Sequence, residues 1–205
     1  MEYTGGGLSP QQNDVKEQFI SISENLSQLI ASLNQEDIDI LNDLRHLSKR
    51  FSDSGKMASA YYLSCLLAPY TNKFNEIFEA VRKLSSKRQG ALIVIQREDP
   101  LDEWITPGVP IHAEFSGSLL DSIFPVGSPL HDGAVLIRYD IIVSAANILP
   151  LTKKTYKKKL GTRHRAAIGL SERTDALIVV VSEETGRESF SYKGALYPFQ
   201  LPESK

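Results

Sequence analysis

The stretch "ALIVI", residues 91–95, decides how this chain is read, because it is continuously apolar where everything before it alternates apolar and polar residues in helical steps. A short, unbroken run of branched side chains is the signature of a strand buried on both faces. The signature returns in "AVLI" at 134, "IIVSAANIL" at 141 and "ALIVVV" at 176. Between these runs lie short helical candidates, "SGSLLDSIF" opening at Ser116 and "RHRAAIGLSERT" opening just after Thr162. Helices interleaved with buried strands imply an α/β fold, a mixed and largely buried central sheet flanked by helices, from roughly residue 70 to the end.

Upstream of the sheet the pattern is helical. Ser9, Pro10 and Gln12 fall where an N-cap, a first-turn proline and a capping-box partner would sit. Val15, Phe19, Ile22, Leu26, Leu29 and Leu33 then form one apolar stripe. Asn34 and Asp37 read as a second cap, and Ile38, Leu41, Leu44, Leu47 and Phe51 line a second helix that ends near "SDSGK" at 52–56. A third helix is expected over Met57 to Ala68, stopped by Pro69, and a fourth from about Thr71 through Phe74, Ile77, Phe78, Val81 and Leu84. Residues 9–52 are thus an antiparallel α-helical hairpin preceding the sheet. The chain divides into a helical region, 1–69, and an α/β domain, 70–205.

Bulk composition narrows the classes. A chain of 205 residues with 41% hydrophobic residues can bury a sizeable core. A net charge of −2 and a pI near 6.1 argue against non-specific binding to polyanions, so no nucleic-acid partner is expected. Cys65, the single cysteine, sits in "YYLSCLLA" and reads as a buried apolar thiol. No leader pattern opens the sequence and no apolar run approaches the ~20 residues of a membrane span, so the default is a cytoplasmic protein without a membrane partner.

Three polar clusters abut a buried strand or open a helix: "HDGA" at 131–134, "GTRHR" at 161–165 and "SEETG" at 182–186. Ligands of α/β sheets gather where strands and helices meet. "GTRHR" supplies a glycine for close approach, a threonine able to cap the helix, free first-turn N–H groups and two guanidiniums, which together suit phosphate. His131, Asp132, Glu183 and Glu184 offer imidazole and oxygen ligands for a divalent metal. Each cluster also has a plain structural reading: "SPLHDGAVLI" as a turn before a strand, Arg163 and Arg165 as a solvated helix start, the glutamates as a strand end facing water. The basic loop "KKTYKKK", 153–159, reads as a solvated connection, and His46 and His112 as structural. No P-loop and no GxGxxG fingerprint occurs.

The stretches "GALIVIQRE", "PLHDGAVLI" and "LGTRHRAAIGLSERTDALIVVVSEETG" resemble the diadenylate cyclase domain family over about residues 75 to 195, with its DGA and RHR motifs in order. That resemblance implies condensation of two ATP molecules into cyclic di-AMP with loss of two pyrophosphates, using Mg²⁺ or Mn²⁺. It implies that Asp132 engages and activates the ribose 3′-hydroxyl, with Arg163, His164 and Arg165 also catalytic. ATP would be bound by Gly133, Ala134, Thr162, Arg163, Ser182, Glu183 and Glu184, and the metal by His131, Asp132 and Glu184; Gly90 matches the glycine opening the first strand. The chain is similar to the short, soluble, sporulation-associated type. One ATP per domain and a two-fold product require a C2 pair of domains, and the N-terminal stripes are expected to build a higher homo-oligomer, such as a hexamer. The competing reading is a non-catalytic ATP or cyclic dinucleotide sensor, which would use the same arginines without needing Asp132.

Overall fold

The computed structural model describes residues 10–32, 40–156 and 160–200. The caps read at Ser9, Asn34 and Asp37, together with Leu33, Ile38 and the end of the basic loop at 157–159, lie outside the described residues. Helix α1 (Pro10–Ser32) packs antiparallel to α2 (Ile40–Leu67). Phe19 meets Phe51 edge to face at 6.3 Å, and Arg50 donates to the Ser21 hydroxyl at 2.9 Å. The stripe on α1 is only partly covered: Ile22 and Leu29 are buried, but Phe19 and Leu26 are exposed, as are Leu41 and Leu44 of α2.

The expected break at "SDSGK" does not occur, and α2 runs unbroken for 28 residues through Gly55. A mid-helix glycine costs about 1 kcal/mol against alanine. Here the flanking side chains outweigh it. Lys56 pairs with Asp53 at 2.8 Å, Ser54 is buried, and Ala60, Leu63 and Leu67 carry the same helix into the core of the α/β layer. Cys65, expected inside, falls on the exposed face of that turn. Helix α3 (Phe74–Ser86) opens three residues later than read, since Thr71 Oγ1 and the Asn72 N–H donate to Asp140 at 2.7 and 2.9 Å and hold the link as a turn.

The remaining elements are β1 (Ala91–Gln96), β2 (Val109–Glu114), α4 (Gly117–Ile123), β3 (Ala134–Arg138), β4 (Ile141–Asn147), α5 (Thr162–Ser171), β5 (Leu177–Val181), β6 (Glu188–Tyr192) and β7 (Ala195–Pro198). They form one seven-stranded sheet in the order β2-β4-β3-β1-β5-β6-β7. Only the β1/β3 pair is parallel; the other five pairs are antiparallel. The α/β layer, mixed sheet and preceding helical hairpin agree with the sequence reading. Three strands were not read: β2 carries a proline and a register shift, and β6 and β7 are short and partly polar.

Alternation along the central strands builds two cores. Ala91, Ile93 and Ile95 of β1 join Val135, Ile137, Val179 and Val181 on the face covered by α3, α4 and the end of α2. Leu92 and Val94 join Leu136, Ile178 and Val180 on the face covered by α5. A strand sandwiched this way needs apolar side chains at every position, which is why "ALIVI" and "LIVVV" show no polar alternation. At one end of the sheet, Arg97 lies over the Tyr70 ring at 4.6 Å and donates to the Tyr192 hydroxyl, fastening the α2–α3 link to the strands. The polar clusters gather at the other end.

Candidate active site

The registers bring the three clusters to a single sheet edge. Strands β1 and β3 begin there, after Gly90 and Gly133, while β4 and β5 end there, at Asn147 and Val181. In fully parallel sheets ligands sit at the carboxyl ends of the strands. This sheet is mixed, so its shared edge combines amino ends of β1 and β3 with carboxyl ends of β4 and β5. With Ile93 opposite Val135, the β1/β3 register brings the entries of both strands, and with them the segments that hold Gly90 and Asp132, to this edge.

Gly90 is the hub. A Cβ built there would lie 2.6 Å from Arg163 Nη1 and 2.9 Å from Glu183 Cβ, so the missing side chain is what lets α5 and the β5 exit close over β1. Arg163 Nη1 donates to Glu183 Oε2 at 2.7 Å, with the two side chains 26% and 58% exposed. A pair that open to water contributes little stability, about 0–1 kcal/mol. It does hold the guanidinium over Gly90, presented to the surface.

Helix α5 carries the phosphate-type donors. Its N-cap is Gly161 rather than the expected Thr162, which is the first helical residue and exposed. Since the intrahelical ladder starts with Arg165 N–H to Gly161 O at 3.1 Å, the N–H groups of Thr162, Arg163 and His164 precede it at the positive end of the helix dipole. His164 is half-buried in the same turn. Arg165 behaves differently from Arg163: its Nη2 donates to the Thr152 carbonyl at 3.5 Å while its own carbonyl accepts from Thr152 N–H, so it braces the loop before α5.

The HDG turn opens β3. Asp132 is exposed, and no hydrogen bond or ion pair among the described residues holds its carboxylate. His131 Nδ1 is bonded to the Ser128 carbonyl, which can only accept, so the proton of that bond lies on Nδ1 and Nε2 is the ring nitrogen left outside it. Ala134, expected against a nucleotide, is completely buried in the core beneath α5, so its methyl group does not reach the surface. Gly133 reaches φ +114, a conformation open to glycine alone, and packs on Ala146 and Asn147.

The SEETG cluster is a closed turn in which Gly186 N–H donates to the Ser182 carbonyl at 2.8 Å and Ser182 Oγ accepts from Thr185 N–H at 3.3 Å. Ser85 at the end of α3 donates to the Gly186 carbonyl at 2.7 Å and pins that turn. The turn leaves Glu183 and Glu184 exposed, and Glu183 is the one engaged with Arg163. Among the described residues no three His, Cys, Asp or Glu side chains come together as a metal cage, so the expected set His131, Asp132 and Glu184 is not preassembled. A divalent cation that keeps its waters and takes substrate phosphates needs only one or two protein ligands; the exposed Asp132 could supply an oxygen, and His131 Nε2 a nitrogen to a cation such as Mn²⁺ that accepts one. Sequence reasoning missed Ser85, Gly108, Ser144 and Asn147; a buried asparagine closing an apolar strand was the available signal.

Residues 78–196 match the model of the family described as "DisA bacterial checkpoint controller nucleotide-binding", and residues 8–70 match that described as "Diadenylate cyclase CdaS, N-terminal". The chain is 48% identical to the cyclic di-AMP synthase CdaS of Bacillus subtilis, over 86% of this chain and 85% of that one. It is 47% identical to the diadenylate cyclase CdaS of Bacillus thuringiensis, over 95% and 98%. A crystal structure titled as a hypothetical membrane spanning protein from Bacillus cereus superposes with a TM-score of 0.83 at 45% identity, covering 93% of this chain and 94% of that one. In the present chain no helix among the described residues is long and apolar enough to cross a membrane.

Proposed function

The chain belongs to the diadenylate cyclase family, and we propose that it joins two ATP molecules into cyclic di-AMP, releasing two pyrophosphates, between two catalytic domains that face each other. One observation carries the assignment of the site: the HDG turn, the start of α5 and the exit of β5 share one sheet edge around Gly90.

In each half-reaction the ribose 3′-oxygen of one ATP bonds to the α-phosphorus of the other, the bond from that phosphorus to the bridging oxygen breaks, and pyrophosphate leaves. Asp132, exposed at the edge, accepts the hydroxyl hydrogen bond and takes the proton. Arg163 exchanges its contact with Glu183 for phosphate oxygens, and the first-turn N–H groups of α5 meet the same charge. His164 stands in that turn to donate as well, whereas Arg165 acts by holding the loop before α5. Gly133, Thr162, Ser182 and Glu184 border the nucleotide. A divalent cation such as Mg²⁺ or Mn²⁺ would be held by Asp132, with His131 Nε2 as a further ligand, and would supply charge neutralisation. Positioning and electrostatics supply most of the rate in such transfers.

Residues 70–205 form the catalytic unit, and residues 1–69 the assembly unit. The uncovered Ile20, Leu26, Ile30, Leu41, Leu44 and Phe51 of the hairpin support its use in building a higher oligomer, with a hexamer as the working hypothesis. The protein works in the cytoplasm. Purified protein incubated with ATP and Mn²⁺, with nucleotides separated, should yield cyclic di-AMP, and Asp132→Asn should abolish it. ATP retained without product in any assembly would instead make the chain a sensor. Product from a chain shown to be monomeric under assay would sink the paired mechanism. Removing residues 1–52 should change oligomer size and raise specific activity; if neither moved, the hairpin would have no such role.

A further inference from the structure

We propose that Asn147 is a positioning residue for this reaction, its buried carboxamide fixing the Gly133–Ala134 backbone on which Asp132 stands. The inference rests on the role given to Asp132 above. Asn147 is 1% exposed at the end of β4. Its Nδ2 donates to the Ala134 carbonyl at 2.8 Å, and its Oδ1 accepts from the Gly108 N–H at 3.0 Å and from the Ser144 hydroxyl at 2.9 Å. The orientation of the amide follows from its partners, since a carbonyl can only accept and an N–H can only donate. One side chain therefore ties the residue before β2, the first residue of β3 and Ser144 of its own strand β4 into a single knot.

The knot has no slack. A Cβ at Gly108 would lie 2.0 Å from the Ala145 carbonyl oxygen, and one at Gly133 would lie 2.7 Å from Ala146 C and 2.8 Å from the Asn147 carbonyl oxygen. Ala146 itself is held at φ +56 and Gly133 at φ +114. Non-glycine residues occupy such backbone only where the surroundings over-determine it. Asp132, by contrast, is an exposed carboxylate with no side-chain or backbone partner among the described residues. Among the described residues nothing grips its carboxylate from the side, so its place is set by the backbone on either side of it: the Ser128–His131 turn before it and the Asn147–Ala134 bond where the chain enters β3. A carboxylate that must meet a hydroxyl within hydrogen-bond reach loses rate on a shift of about 1 Å, on the order of a hundredfold.

The test uses the full chain. Asn147→Leu removes all three bonds at similar volume, and Asn147→Ser is the fallback if the leucine variant fails to fold. Ser191→Ala serves as the control. Ser191 is buried on β6 toward the far edge, bonded to the Ser171 hydroxyl and the Ala195 carbonyl, and has no place in the site. Thermal midpoint, turnover and the affinity of a non-reactive ATP analogue are measured for each. The Asn147 variant is expected to lose about a hundredfold in kcat with analogue affinity within about threefold, while Ser191→Ala stays within about twofold in both. The proposal is overturned if the Asn147 variant loses no more kcat than Ser191→Ala at a comparable midpoint, or if analogue affinity falls in step with kcat. Asp132→Asn is run alongside: product from it would defeat the reading of Asp132 itself, whereas a dead Asp132→Asn beside an active Asn147 variant would defeat only the inference about Asn147.

Discussion

Replacing Gly90 by alanine should separate catalysis from stability more cleanly than any change at a charged residue. The new methyl carbon would stand 2.6 Å from Arg163 Nη1, 3.0 Å from Arg163 Cζ and 2.9 Å from Glu183 Cβ, whereas ordinary contact begins at 3.4 Å. The guanidinium must therefore retreat by about 0.8 Å, or swing aside. Gly90 is not among the glycines with positive φ, so alanine carries no backbone strain there. The disturbed ion pair is worth about 0–1 kcal/mol at this exposure, and easing the Glu183 contact adds about 1 kcal/mol of overpacking. A chain of this size loses about 2–4 °C in thermal midpoint per kcal/mol, so the midpoint should fall by no more than about 8 °C. Displacement of a phosphate-binding guanidinium by most of an ångström should cost about a hundredfold in kcat/KM, equivalent to about 2.7 kcal/mol of transition-state stabilisation. Cyclic di-AMP formation from ATP over a substrate series, beside a thermal melt, reads both quantities. A variant with kcat/KM within about threefold of the parent would refute the claim that Gly90 makes room for Arg163 at the phosphate.

Gly133→Ala should lose both activity and stability, because its methyl group would meet the Ala146 and Asn147 backbone at 2.7–2.9 Å on a φ of +114; a melt should fall by roughly 10 °C for a combined cost of about 2–5 kcal/mol. Gly55→Ala should do the opposite: with nothing within 4 Å of the added carbon in the middle of α2, it should stabilise by about 0.5–1 kcal/mol and leave turnover unchanged, and a lower midpoint would contradict a continuous helix. Asp140 is held below the ordinary carboxylate range, chiefly by the hydrogen bond from the Thr71 hydroxyl. Such a depressed carboxylate contributes stability above its unfolded pKa of about 3.9 and loses it as pH falls through the lower folded value. Denaturant melts should accordingly show the parent ahead of Asp140→Asn by about 1 kcal/mol at pH 7, with the gap closing below about pH 4; a gap independent of pH would remove the carboxylate's role.

Much of the candidate site was legible because its chemistry is local. The glycine, threonine and arginines of "GTRHR" sit at a helix start whatever surrounds them, and Asp132 and Gly133 mark a turn before a buried strand. The helix boundary at "SDSGK" was misread for the converse reason: local signals favour a stop, but burial of Ala60, Leu63 and Leu67 on the far side rewards continuation, and burial is not a local property. The same holds for Cys65, whose apolar neighbours Leu63 and Leu67 face the core while it faces out.

By itself the sequence determined the buried strands, the helical hairpin ahead of them and the residue types of each polar cluster, because periodicity, caps and turn chemistry are written within a few residues of one another. Only the tertiary structure decided that the three clusters share one edge, that Arg163 rather than Arg165 closes over Gly90 against Glu183, and that Asn147 binds three separated segments together. Those relations depend on strand order and register, which are set when the two faces of the sheet find their cores, and the gathering of residues 90, 132, 147 and 183 toward one edge has no trace in the spacing along the chain.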